Sequence, residues 1–165
     1  MSLHESLTDL SELAARCHSP AHARGVLEEA QSLIRNATEH RADGVELAAW
    51  FSRIVTDVVR SPGLSSSVRL TGPAARGDLL PSMRITWLGH DEQLLSVITD
   101  AGLRCAAVEE TAATRADAGL PLGTGGEDEL YADALAKRPA PLQLVDGLPD
   151  RTARVAVRPS LLAPV

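Results

Sequence analysis

The chain is 165 residues long and 44% hydrophobic, enough for one ordinary soluble core. A formal net charge of −6 argues against a surface built for non-specific binding to nucleic acid or membrane, since both call for clustered basic charge. No apolar run approaches the roughly 20 residues that span a bilayer and the N-terminus lacks the regions of a signal peptide, so a cytoplasmic location is expected.

The first sixty residues read as helix. Leu7, Leu10, Leu13 and Ala14 recur at helical spacing, and Ser19-Pro20 then supplies an N-cap followed by proline at the first helical position. In the second helix Val26, Leu27, Ala30, Leu33, Ile34 and Ala37 form an apolar stripe, with Glu28, Glu29, Arg35 and Glu39 facing water. Asp43-Gly44 breaks it. A third helix carries Leu47, Phe51, Ile54, Val55 and Val58 on one side and ends at Ser61-Pro62-Gly63.

After Ser65-Ser66-Ser67 the period changes. Val68 and Leu70 alternate into a turn at Gly72 as strand one, and residues 83–88 read as strand two. On that second strand Ile85 and Trp87 share one face and Arg84 and Thr86 the other, because successive side chains alternate. A helix over residues 91–101 carries Leu94, Leu95, Val97 and Ile98, and residues 103–108 form a third strand. Residues 119–126 are a loop by composition, 127–137 a helix and 152–157 a last strand. The pattern predicts a helical segment, residues 1–63, followed by alternating strands and helices, residues 64–165.

The run from Thr71 to Trp87 carries most of the chemistry. It reads Thr-Gly-Pro-Ala-Ala-Arg-Gly-Asp-Leu-Leu-Pro-Ser-Met-Arg-Ile-Thr-Trp. It resembles the active-site loop of the protein-PII uridylyltransferase type of nucleotidyltransferase domain, within the DNA polymerase beta-like superfamily, which includes bacterial proteins with a helical segment ahead of the domain. That pattern is a strand, Gly-Ser or Gly-Gly, two variable residues, Arg-Gly-Glu, two variable residues, Pro, one variable residue and Ser-Asp-Ile-Asp on the next strand. Gly72, Arg76, Gly77, Asp78 in place of Glu, Pro81 and Ile85 fit it without a gap. Pro73 falls on the small second residue, Met83 on the serine, and Arg84 and Thr86 on the two aspartates.

The departures matter chemically. Two carboxylates at i and i+2 on a strand project from one face and can share a pair of magnesium ions that align nucleophile and leaving group. A guanidinium cannot ligate a cation: two unit charges about 4 Å apart interact by roughly 4 kcal/mol at an effective dielectric of 20, and a divalent ion doubles that. In the family, backbone N–H groups and a hydroxyl of the small residues after strand one approach the phosphates, and Pro73 offers neither.

The resemblance therefore implies a degenerate phosphate loop (Gly72, Pro73, Arg76, Gly77, Asp78), lost metal ligands at Arg84 and Thr86, no catalytic residue and no resident metal or cofactor. It implies an α+β fold in which the N-terminal helices, residues 1–63, pack on a small mixed or antiparallel nucleotidyltransferase-type sheet flanked by helices, residues 64–165, and a catalytically inactive module with a regulatory or ligand-binding role in signal transduction. One alternative is an active nucleotidyltransferase using magnesium and other acids, such as Asp78, Asp91 or Asp146; another is a helical protein-interaction module. The partners in view are a nucleotide or other anion, and a protein partner or helical C-terminal domain. The last of these is suggested by residues 155–165, which resemble the junction where such proteins continue into a second domain, with Ala156 in place of its acid and an apolar ending.

Other features read more plainly. Cys17 and Cys105 form neither a disulfide framework nor a zinc spacing and are expected as reduced thiols. His18 and His22 have helical ligand spacing, but Ser19-Pro20 interrupts the helix between them. Thr124-Gly125-Gly126 lacks the lysine and helix of a phosphate loop, and His90-Asp91-Glu92 reads as a helix cap.

Overall fold

The structure is a computed structural model, and residues 2–121 of it are described here. Three helices come first: α1 (Leu3–Ala14), α2 (Pro20–Glu39) and α3 (Gly44–Arg60). Each starts at a side chain that takes up an otherwise unpaired backbone N–H. Ser2 accepts from Glu5, Ser19 from His22 and Asp43 from Val45. The stripes expected of α2 and α3 are buried throughout, but in α1 Leu13 stands 42% exposed while Leu10 and Ala14 are inside. The Trp50 indole N–H fastens α3 to α1, reaching the Leu7 carbonyl at 3.0 Å and Ser11 Oγ at 2.9 Å.

The second half alternates strand and helix: β1 (Arg69–Thr71), α4 (Gly72–Arg76), β2 (Arg84–Leu88), α5 (Glu92–Asp100), β3 (Arg104–Ala107) and α6 (Ala112–Asp117). The sheet is mixed, with β2 central. It runs antiparallel to β1, pairing Thr71 with Thr86, and parallel to β3, pairing Arg84 with Arg104. The fold of these residues is thus α+β, six helices and a three-stranded mixed sheet.

One hydrophobic cluster joins the two halves. Leu27, Phe51, Ile54 and Val55 from the helices meet Leu70, Ile85 and Trp87 from the inner face of the sheet, together with Leu94 and Ile98 of α5. Leu95, the fourth apolar residue of this helix beside Leu94, Val97 and Ile98, is 42% exposed. Gln31 adds a polar tie, donating across from α2 to the Ala101 carbonyl at 2.7 Å. Gly63 closes the helical half, its N–H donating to the Cys17 carbonyl at 2.8 Å.

No helix among the described residues is long and apolar enough to cross a membrane. The helix expected at 127–137, the strand at 152–157, most of the loop at 119–126, Asp146 and the segment 155–165 lie outside the described residues.

Candidate functional site

Residues 72–81 were expected as a loop, yet the first five form α4. Pro73 in the first turn, two alanines and Gly77 at φ +87° as the left-handed C-cap favour one helical turn over an open phosphate cradle. The helix starts where β1 ends. Gly72 is held at φ +62°, and a Cβ there would lie 3.0 Å from Thr86 Oγ1, so both conformation and space call for glycine.

The outer face of the sheet is built by alternation. Ile85 and Trp87 are fully buried on the inner side, so Arg84 and Thr86 emerge together on the other, as their spacing required. Thr86 Oγ1 lies 2.8 Å from Thr71 Oγ1 and donates to the Thr71 carbonyl at 3.3 Å. Arg84 is exposed, and its neighbour across the parallel ladder is the equally exposed Arg104, whose guanidinium donates to the Ser82 carbonyl.

Sequence reasoning passed over Asp117. From the end of α6 its Oδ2 accepts the Gly72 N–H at 3.0 Å and Arg76 Nη1 at 3.1 Å. A carboxylate of the chain itself thus occupies the N–H and the guanidinium that the resemblance assigns to phosphate binding. Arg76 also lies 3.9 Å from Asp78 in an exposed ion pair. Behind this turn the buried Ser52 hydroxyl accepts the Leu79 N–H at 3.0 Å and donates to the Ala48 carbonyl at 2.8 Å, which fixes the path from α4 toward β2.

The remaining candidates lie apart from this cluster or serve structure. Asp91 caps α5, accepting from the Leu94 N–H at 2.9 Å and from the Ser66 hydroxyl at 2.6 Å. Burial pushes its carboxyl up, but the Ser66 hydroxyl, the backbone N–H groups of Leu94 and Gln93 and the charge of His90 outweigh this and hold it below the usual carboxylate range. A lowered folded-state value gives stability that is present above the unfolded value, near 3.9, and is lost as the pH falls through the folded one. Asp91→Ala is therefore expected to cost about 0.5–2 kcal/mol at pH 7, with the gap to wild type shrinking at pH 3. Urea titrations at both pH values check it, and a gap that stays constant would contradict it.

Cys17 and Cys105 are free thiols. Burial raises both; the Ser61 hydroxyl opposes it at Cys17, and the Thr99 hydroxyl and the Arg84 charge oppose it at Cys105. The His18 and His22 rings lie tilted against each other with centroids 4.5 Å apart, and among the described residues no three His, Cys, Asp or Glu side chains gather as a metal site. A cleft of about 530 Å³ between α1 and α3, beside Trp50, includes none of the motif residues. Comparison of the chain with protein-family models, with curated proteins and with solved structures gave no match.

Proposed function

We propose that the chain is a nucleotidyltransferase-like domain, of the protein-PII uridylyltransferase type, that does not transfer nucleotides and acts as a regulatory or ligand-binding module. The observation that carries this reading is the outer face of β2, where Arg84 and Thr86 stand at i and i+2, the positions the resemblance gives to two carboxylates. A strand leading straight into Gly72 and an antiparallel second strand presenting those positions agree with a nucleotidyltransferase-type sheet. The residues present do not fit a magnesium pair. Arg84 repels a cation, and Thr86 offers one neutral hydroxyl already within bonding distance of Thr71.

Among the described residues the acids in question have other partners: Asp78 pairs with Arg76, Asp91 caps α5, and Asp117 is a single carboxylate held by Gly72 and Arg76. A helical interaction module has less support, because the apolar stripes of α2 and α3 are turned into the chain's own core.

Incubation with labelled nucleoside triphosphates, magnesium and candidate protein acceptors is expected to give no transfer that a chelator abolishes. Chelator-sensitive turnover would overturn the reading. Binding without turnover, unaffected by the chelator, is the result it requires.

A further inference from the structure

We infer that Arg84 and Arg104 together form a metal-independent site for a phosphate group on the outer face of the sheet. The two are direct register partners on the parallel strands β2 and β3. Partners in such a ladder leave the same face of the sheet from backbones about 4.8 Å apart. Like charges placed directly opposite on a sheet destabilise it, so the pair is a local cost that a shared dianion would reverse.

Nothing else described neutralises them. Among the described residues neither guanidinium has a carboxylate within 4.0 Å, which is equally true of Arg35, Arg41, Arg53, Arg60 and Arg69; what sets Arg84 and Arg104 apart is that they are direct partners in the ladder. Both side chains are exposed and able to reach a ligand. The Arg104 guanidinium meets the Ser82 carbonyl, two residues ahead of Arg84, so it lies toward β2. Thr86 lies on the same face, one pleat beyond Arg84.

Two planar forks suit a tetrahedral phosphate. Each guanidinium can give two parallel N–H bonds to a phosphate, and neither loses its charge at ordinary pH. The inference rests on reading this face as a ligand site and adds the second arginine and the ligand's chemistry.

The test is calorimetric titration of the whole chain, with chelator present, using inorganic phosphate, inorganic triphosphate and a nucleoside triphosphate as probes. Arg84→Ala and Arg104→Ala should each weaken inorganic triphosphate binding about tenfold, the scale of one charge-assisted contact, and added salt should weaken the wild type. Arg35→Ala, which removes an exposed arginine of α2, should change nothing. A nucleoside triphosphate that binds more tightly than inorganic triphosphate identifies a nucleotide as the source of the phosphate; equal affinities identify the phosphate chain alone.

Loss in Arg84→Ala with none in Arg104→Ala would overturn the paired site and leave the reading of the face intact. Absence of binding to the wild type at millimolar probe, or equal loss in Arg35→Ala, would overturn both. Thermal melts of the variants should not fall below the wild type, since both side chains are exposed and each truncation removes one of two facing like charges.

Discussion

Phe51→Ala is expected to remove about 3–5 kcal/mol of folding stability. Phe51 is fully buried in the middle of α3, within the cluster that joins the helices to the inner face of the sheet. Truncation removes the ring's transfer energy and leaves a cavity whose walls come from several elements and cannot all close on it. Domains of this size are stable by only about 5–15 kcal/mol, so the loss would take a large share and lower the urea midpoint accordingly. Leu95→Ala, at a residue 42% exposed, should stay within about 0.5 kcal/mol. A loss below about 1 kcal/mol for Phe51→Ala would mean that the two halves do not share a core.

Gly63→Ala should destabilise by about 2–4 kcal/mol, combining overpacking with a broken hydrogen bond. A Cβ at this position would lie 2.4 Å from the Ser19 nitrogen and 2.9 Å from the His18 carbonyl carbon. Both are backbone atoms and cannot rotate away. The end of α3 would have to lift from the α1–α2 connection, losing the bond from Gly63 N–H to the Cys17 carbonyl. Gly25→Ala is the counterpart: it lies within α2, its added methyl meets nothing within 4 Å, and it should stabilise by about 0.5–1 kcal/mol. Thermal melts of the two variants should therefore shift in opposite directions. Equal shifts would refute the packing argument.

Much of the fold was legible because its signals are local. Ser19-Pro20 started α2, the stripe of Leu47, Phe51, Ile54, Val55 and Val58 described α3, and the alternation of Arg84 to Trp87 described β2. The exposed Leu13 and Leu95 mark the limit of periodicity, which gives a helix its apolar arc but not how far the neighbouring elements cover it. Turn chemistry misled at α4, where glycine and proline suggested a loop although Pro73 and Gly77 also satisfy a helix start and stop. The site was legible only on β2. Asp117 meets Gly72 across 45 residues, and Arg104 meets Arg84 through a strand pairing, and no local pattern announces either.

The two-residue repeat of β2 also bears on how such a domain can change through mutation. Ile85 and Trp87 are held by core packing, while Arg84 and Thr86 on the opposite face lie outside the core. Exchange of the exposed Arg84 leaves the core untouched, so the charge the strand displays there can change sign without a repacked interior. Thr86 is less free, because its hydroxyl is the partner of the buried Thr71.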